Sequence, residues 1–378
     1  MVWREVSVPD QRRDFVMLAS LEGGNISQLC ERFGISRETG HLWLRRYRSG
    51  EREFRDRSRR PLNSPWRLDE RIEASILEVR DAHPAWGARK IAAFLWPAAD
   101  GPAASSVHSV LKRHGRIAQD AQPPHEYGSF ERSEPNQLWQ MDYKGRVRLD
   151  CGTWCHPLTV IDDHSRYSVG LASCANEQTE TVQSRLMAIF RQHGLPEAIY
   201  VDNGSPWGGS NQGEWTRLRV WLLKVGVTTI FSKPYQPQGR GKNERFHRSL
   251  AAEVFSLARF RGLAQVQQAF DRWRHVYNHQ RPHEALGFKV PASRYRSSPR
   301  NFPENLPEPN YETGELLRRV STTKGYVSFQ GKLWRVPEAF RGELLAIRPR
   351  STDGVYAICY GAHQIASINL TDLENTPD

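Results

Sequence analysis

The sequence predicts a multidomain chain with all-α units at the front, a central α/β domain with a mixed sheet, and a small antiparallel β-barrel at the end. Three observations support this division. Apolar residues recur at helical spacing up to Gly115, and alternation typical of strands begins at Gln137. Short alternating strands separated by glycine turns follow residue 314, which favours closure into a small barrel.

The composition favours a polyanionic partner and shows no sign of a membrane protein. The 378 residues include 53 Lys and Arg against 42 Asp and Glu, a net charge of +11. The alternative is a basic protein whose charge serves only solubility. No run of about 18 apolar residues is present, and the first ten residues lack the layout of a signal peptide. Five cysteines in a chain of this length are typical of reduced thiols in a cytosolic protein.

Residues 12–49 predict two helices around a turn at Gly34, with Ser36 as the N-cap of the second helix and Glu38 in its first turn. A helix, a glycine turn and a capped basic helix form the helix-turn-helix layout, whose second helix enters the major groove of DNA. Gly40 departs from this layout, because a packing side chain is more usual there. A plain helical hairpin is the alternative. The predicted DNA contacts of the second helix are Arg45, Arg46 and Arg48.

The next segment, R-E-F-R-D-R-S-R-R over residues 52–60, contains five arginines in nine residues. An extended arginine-rich segment between helical units suits the minor groove, where the potential is most negative. A solvated linker is the alternative. The predicted contacts here are Arg55, Arg57, Arg59 and Arg60.

A second helical unit is predicted from Leu68 to Gly115. Ser105 or Ser106 is expected to cap its last helix, whose exposed side carries the predicted DNA contacts Lys112 and Arg113. The unit is interpreted as a second DNA-reading module, with a helical spacer as the alternative.

From Gln137 the pattern predicts a mixed α/β layer domain. Three strands come first, an amphipathic helix ends at Gly194, and a short buried strand ends in Asp202. A helix over roughly 214–225, a last short strand and a helix over 263–278 complete the pattern.

The stretch Y-Q-P-Q-G-R-G-K-N-E-R-F-H-R begins at Tyr235 as a loop and continues as a helix. Glu244, His247 and Arg248 stand at i, i+3 and i+4 and therefore share a helix face. A carboxylate beside an imidazole and a guanidinium suits a phosphodiester, although a solvated charged face is the alternative. The predicted DNA contacts of this stretch are Arg240, Lys242, His247 and Arg248.

Three carboxylates of the α/β domain are candidate metal ligands: Asp142 on the first strand, Asp202 at the end of a later strand, and Glu244 on a helix. Strand ends and helix starts meet at one sheet edge, so these side chains are expected to converge. Clustered carboxylates repel one another unless a cation lies among them, and their hard oxygens favour Mg²⁺ or Mn²⁺. The alternatives to Asp142 in this set are Asp150, Asp162 and Asp163.

Other candidates are weaker. Cys151, Cys155 and His156 have a loosely zinc-like spacing but no evident fourth ligand. Trp139 and Trp154 are predicted to lie in the core.

Five motifs resemble those of DDE transposases and retroviral integrases. W-Q-M-D-Y-K-G, Y-V-D-N-G-S-P and P-Q-G-R-G-K-N-E-R-F-H-R resemble the family's three catalytic motifs, and V-I-D-D-H-S-R-Y and Y-N-H-Q-R-P-H-E-A-L-G resemble stretches of its bacterial insertion-sequence branch. The resemblance covers residues 137–295. It implies an RNase H-like core in which Asp142, Asp202 and Glu244 bind two Mg²⁺ or Mn²⁺ ions per active site.

The resemblance also implies a reaction and partners. A metal-bound water would cut the phosphodiester at the end of a mobile element, and the freed 3′-hydroxyl would attack target DNA, with no protein nucleophile. The implied partners are double-stranded DNA, both terminal inverted repeats and target, and further copies of the chain as a dimer or tetramer. The implied location is the bacterial cytoplasm, at the nucleoid. The need for an accessory ATPase stays open. The alternative is a catalytically silent DNA-binding regulator or targeting subunit.

Two features depart from the family pattern. The stretch from Asp202 to Glu244 is longer than in many relatives, which we attribute to extra loop over 207–213, and the zinc-binding front module of retroviral integrases is missing. The predicted domains are a helix-turn-helix at 1–50, an arginine-rich linker at 51–66, a second helix-turn-helix at 67–116, a linker at 117–135, the catalytic core at 136–296, a linker at 297–314 and the barrel at 315–374.

Overall fold

The structure is a computed structural model that describes residues 7–21, 25–57, 68–117, 131–208, 214–232 and 241–370. The chain divides into two compact units, Met1–Leu68 and Asp69–Asp378. Of the predicted DNA contacts, Arg59, Arg60 and Arg240 lie outside the described residues. Among the described helices, none combines the length and apolar character that a membrane span needs.

Within its described residues the first unit contains three helices, and a side-chain cap marks the start of each of them. Asn25 accepts hydrogen bonds from the Ser27 and Gln28 amides, and Ser36 accepts one from the Thr39 amide, as predicted for that N-cap. Phe15 and Trp43 are among the residues that form the core between the helices. The helices are α1 (Val8–Ala19), α2 (Ile26–Arg32) and α3 (Arg37–Arg48).

Gly40 has a packing role that the sequence analysis missed. A Cβ atom at this position would lie 2.6 Å from Cys30 Sγ and 2.9 Å from Phe15 Cζ. The absence of a side chain therefore lets α3 pack closely on α1 and α2. This close contact explains why a glycine, and not a packing side chain, stands at position 40.

The start of the arginine-rich segment packs on the first unit. Residues 51–57 contain no helix or strand, yet Phe54 is buried, with its ring centroid 6.4 Å from that of Trp43 and 6.2 Å from that of Tyr47. The Arg52 guanidinium lies 4.3 Å from the centroid of the Tyr47 ring. This part of the predicted linker is therefore anchored by an aromatic side chain.

The second unit begins with three helices around buried Ile76, Trp86, Ile91 and Leu111. The predicted cap of the last helix is wrong, because that helix starts after Ala103 without a side-chain cap. The helices are α4 (Glu70–Ala82), α5 (Ala88–Leu95) and α6 (Ala104–Arg113).

The central domain is a mixed sheet, as predicted. Its strand order is β2-β3-β1-β5-β6, and β4 also pairs with β3. Strand β5 is parallel to β1 and β6, whereas β3 is antiparallel to β1, β2 and β4. The elements are β1 (Trp139–Tyr143), β2 (Val147–Arg148), β3 (Trp154–Asp162), β4 (Ser168–Cys174), α7 (Thr179–His193), β5 (Ala198–Val201), α8 (Arg217–Lys224) and β6 (Thr228–Phe231).

Helices pack on this sheet through two apolar clusters. Trp139, Phe190 and Trp221 belong to the cluster formed with α7 and α8. Phe246 and Phe270 belong to the cluster formed with α9 (Gly241–Leu250), a π-helical turn (Ala251–Phe255) and α10 (Leu263–His279). The core position predicted for Trp139 is confirmed.

The core position predicted for Trp154 is wrong. The residue is 39% exposed, and the Arg146 guanidinium lies 4.5 Å from the centroid of its ring. Trp154 is the first residue of β3, where the strand pairs only with the two-residue β2. Too little of the sheet surrounds that position to bury an indole.

The C-terminal strands are antiparallel, as predicted, but they do not close into a barrel. Within the described residues they form a four-stranded sheet, β12-β11-β10-β7, and a separate β8-β9 hairpin. Sheet and hairpin share a core that includes Val327, Trp334, Phe340 and Ile358. The strands are β7 (Leu316–Arg319), β8 (Tyr326–Phe329), β9 (Lys332–Arg335), β10 (Leu344–Pro349), β11 (Val355–Tyr360) and β12 (His363–Asn369).

The predicted linker at 297–314 begins as part of the central domain. Arg300 donates hydrogen bonds to the Pro196 carbonyl at 2.7 Å and the Gly226 carbonyl at 2.6 Å. Glu304 forms an ion pair with Arg191 at 2.7 Å. These contacts hold the first part of the segment against the α/β core.

Candidate active site

Asp142 and Asp202 lie at matching positions of two neighbouring strands. In the parallel pair of β1 and β5, Gln140 is the register partner of Tyr200. Two residues further along, Asp142 lies on β1 and Asp202 directly follows β5. Since neighbouring strands are about 4.8 Å apart, this register brings the two carboxylates to the same edge of the sheet.

Asp142 is linked to α9 through a hydroxyl on β3. Thr159 Oγ1 donates a hydrogen bond to the Asp142 carbonyl at 2.9 Å and lies 2.8 Å from His247 Nε2. The hydroxyl has a single hydrogen, so it accepts the bond from His247 Nε2–H. Burial, followed by the nearby Lys144 charge, lowers the pKa of His247 to about 4, so the imidazole is neutral at pH 7.

Asp202 accepts hydrogen bonds from its own loop. The Trp207 Nε1–H donates to Asp202 Oδ1 at 2.6 Å, and the Gly204 amide donates to the same oxygen at 3.0 Å. From the sequence we assigned Trp207 to extra loop, and this contact with Asp202 was not predicted. The sequence did contain a signal for it: Trp207 follows the candidate ligand Asp202 by five residues, in a turn with glycine and proline.

Glu244 is exposed on α9, one turn before His247. The described parts of the chain contain no group of three or more His, Cys, Asp or Glu side chains that could hold a metal ion. The structure therefore aligns the two aspartates but does not gather all three carboxylates. Cys151, Cys155 and His156, the residues with zinc-like spacing, also form no such group within the described residues. His156 Nδ1 lies 2.8 Å from Glu177 Oε1 instead.

Asp162 and Asp163, two alternatives to Asp142, have structural partners inside the domain. Both are fully buried. Asp162 accepts hydrogen bonds from the Asn136 and Ser165 amides, and burial raises its pKa. Asp163 Oδ1 accepts bonds from Gln140 at 2.8 Å and from Lys242 at 2.5 Å. These contacts explain both carboxylates without a role at the sheet edge.

The basic residues predicted to contact DNA differ in exposure. Lys242 and His247 are turned inward, toward Asp163 and Thr159, and burial lowers the pKa of Lys242. Arg46 lies over the Trp43 ring, Arg57 pairs with Glu51 and Arg113 pairs with Glu73. The other predicted DNA contacts among the described residues are exposed. They are Arg45, Arg48, Arg55, Lys112 and Arg248.

Family models match most regions of the chain. Integrase core domain models match residues 132–237 and 225–291, and the C-terminal domain of the IS481 family transposases matches residues 317–376. A homeodomain-like model matches residues 39–111 and a helix-turn-helix model matches residues 11–61. The chain is therefore similar to insertion-sequence transposases and has regions that match integrase cores. The predicted resemblance to integrase cores and the predicted helix-turn-helix front are thereby confirmed.

Proteins of bacterial mobile elements are among those to which the chain is similar. The insertion element IS476 39.2 kDa protein of Xanthomonas euvesicatoria is 29% identical, over 46% of this chain and 48% of the relative. The transposase of transposon Tn552 from Staphylococcus aureus is 25% identical, over 59% of this chain and 51% of the relative. The chain spans about half the length of these relatives.

Among solved structures, the chain is similar to the simian T-cell lymphotropic virus intasome in complex with a PP2A regulatory subunit. The identity is 15% and the TM-score 0.37, over 77% of this chain and 99% of that chain. The HTLV-2 integrase catalytic core domain in complex with magnesium has 14% identity and a TM-score of 0.33, over 43% of this chain and 99% of that chain.

Proposed function

We propose that this protein is a DNA transposase that cuts phosphodiesters at the ends of a mobile element and joins the freed 3′-hydroxyl to target DNA. The observation that carries the proposal is the matched register of Asp142 and Asp202 within the region similar to integrase core domains. Two carboxylates on adjacent parallel strands are suited to a shared hard cation. Glu244, on a helix tied to the same sheet, is the proposed third ligand.

The donor set fits Mg²⁺ or Mn²⁺, because all three ligands are carboxylate oxygens. When bound, a pair of such ions would activate the attacking oxygen and stabilise the leaving oxygen of an in-line displacement. The chain's own residues hold the ligands in place. Thr159 and His247 link α9 to the Asp142 strand, and the Lys242–Asp163 pair holds the start of α9.

We further propose that exposed arginines of α3 and the exposed Lys112 of α6 contact DNA phosphates, and that the active assembly is a dimer or tetramer on paired DNA ends. The boundaries predicted for the two helix-turn-helix domains, 1–50 and 67–116, are part of the same proposal. In support, helix-turn-helix models match the front of the chain.

The test is cleavage and joining of DNA that carries the element's ends, with Mg²⁺, by the purified full chain. Asp202→Asn is the control, because it removes one negative charge with little change of shape. We expect the wild type to nick and join the ends, whereas the variant and a sample with EDTA do neither. Equal activity of wild type and variant would contradict the proposal.

One observation favours a second function, a DNA-binding regulator with a silent core. The three carboxylates do not form a metal-holding group among the described residues. A silent core predicts tight DNA binding with no cleavage in Mg²⁺ or Mn²⁺. It also predicts that Mn²⁺ changes the Tm of wild type and of Asp202→Asn by the same amount.

A further inference from the structure

The loop after Asp202 folds back so that its own indole meets the carboxylate. Trp207 Nε1 lies 2.6 Å from Asp202 Oδ1, which also accepts the Gly204 amide at 3.0 Å. The Gly208 amide closes the turn on the Gly204 carbonyl at 2.8 Å. Two donors that converge on one oxygen fix the direction in which the carboxylate faces.

The indole itself is held rigidly. Trp207 is only 3% exposed, and its ring stacks on Tyr143 with centroids 5.4 Å apart and 24° between the planes. The Thr216 hydroxyl donates to the Trp207 carbonyl at 3.1 Å. Tyr143 directly follows Asp142, so the same ring contact connects the loop of one aspartate to the strand of the other.

We propose that Trp207 is a positioning residue that orients the Asp202 carboxylate for divalent-cation binding. This inference rests on the proposed function, in which Asp202 is a metal ligand. Residues that donate hydrogen bonds to a ligating side chain fix its orientation, and their loss costs about 10–100-fold in metal affinity or activity. A phenylalanine at this position would preserve packing on Tyr143 but would remove the indole N–H that donates to Asp202.

The test compares Trp207→Phe with Trp221→Phe in the full chain. Trp221 is a matched control, because it is buried in the same apolar cluster and stacks on Phe190 with centroids 5.8 Å apart. Calorimetric titration with Mn²⁺ alone and the rise in Tm caused by Mg²⁺ report cation binding without DNA. We expect Trp207→Phe to bind Mn²⁺ at least about tenfold more weakly than wild type, and Trp221→Phe to bind like wild type.

A second measurement uses DNA cleavage as a function of Mg²⁺ concentration. Trp207→Phe should need more Mg²⁺ for half-maximal rate and recover part of its activity at high Mg²⁺, whereas Asp202→Asn should not recover. If Trp207→Phe fails to fold, benzothienylalanine at position 207 preserves the double ring without the N–H and provides the same comparison.

The outcomes distinguish the role of Trp207 from the proposed function on which it rests. Wild-type affinity in Trp207→Phe, with loss of binding in Asp202→Asn, would overturn the role of Trp207 alone. Equal Mn²⁺ binding by wild type and Asp202→Asn would overturn the proposed function and this inference together. Weaker binding in both tryptophan variants would show a general packing effect and would also overturn it.

Discussion

Basic residues on α3 and at the start of α9 come from similar stretches of sequence but have different surroundings. Arg45 and Arg48 of α3 are exposed. Lys242 is only 13% exposed and pairs with fully buried Asp163, and His247 meets Thr159. The difference comes from acceptors on β3 and the turn after it, far away in the sequence. A cluster of basic residues on a helix therefore indicates a DNA surface only where the fold supplies no buried acceptor.

The largest expected effect is on stability, from Lys242→Met. This change leaves the Asp163 carboxylate buried without its cation, which costs about 3–5 kcal/mol of unfolding free energy for a broken buried pair. Urea unfolding of the full chain measures the loss. Arg248→Met, at an exposed position of the same helix, is the control and should change stability little. The double variant Asp163→Asn/Lys242→Met should recover most of the loss, and Lys242→Met as stable as Arg248→Met would contradict this role.

The next effect is a pH dependence from His247. Its pKa is lowered from 6.5 to about 4, chiefly by burial. Because the unfolded imidazole gains a proton near pH 6.5 and the folded one only near pH 4, stability is full above pH 6.5 and falls as the pH drops toward 4. The loss is at most about 3.5 kcal/mol, at roughly 1.4 kcal/mol per pKa unit. His247→Gln should flatten the fall between these values in unfolding experiments.

The control for that experiment is His108→Gln, at an exposed position of α6. It should leave the pH dependence of stability as in the wild type. Identical pH curves for His247→Gln and wild type would show that His247 gains its proton equally in the folded and unfolded chain.

Local sequence patterns predicted the elements of the fold well but not their long-range contacts. Alternation and helical spacing predicted the mixed sheet, and strand ends placed Asp142 and Asp202 at one edge. The inward direction of Lys242 could not be predicted, since Asp163 is 79 residues away in the chain. The prediction of a closed barrel was wrong for the same reason. Strand alternation indicates which face of a strand is buried, but not which strands pair with one another. The Trp207 contact was local, yet a turn rich in glycine and proline resembled an insertion.

A smaller effect is expected from Gly40→Ala, which tests how α3 is held. The new Cβ would lie 2.6 Å from Cys30 Sγ and 2.9 Å from Phe15 Cζ. Overpacking costs about 1–3 kcal/mol, against a gain of about 1 kcal/mol from the better helix propensity of alanine. We expect a net loss of about 1 kcal/mol in unfolding free energy. Cys30→Ala/Gly40→Ala should reduce the clash, and a Gly40→Ala variant more stable than wild type would show that α3 does not need the close contact.

The smallest expected effect is on DNA affinity, from Arg48→Gln on the exposed side of α3. A phosphate contact contributes about 0.9 to the slope of log affinity against log salt, so its loss should lower that slope by about one with no change in unfolding free energy. Fluorescence anisotropy of a labelled duplex over a salt series measures the slope. The matched control is Arg46→Gln, whose guanidinium lies 4.6 Å from the centroid of the Trp43 ring. It should change the salt slope less than Arg48→Gln does. If both variants lower the slope equally, packing on Trp43 does not keep Arg46 from the phosphates. The exposure of a basic side chain would then not predict whether it contacts DNA.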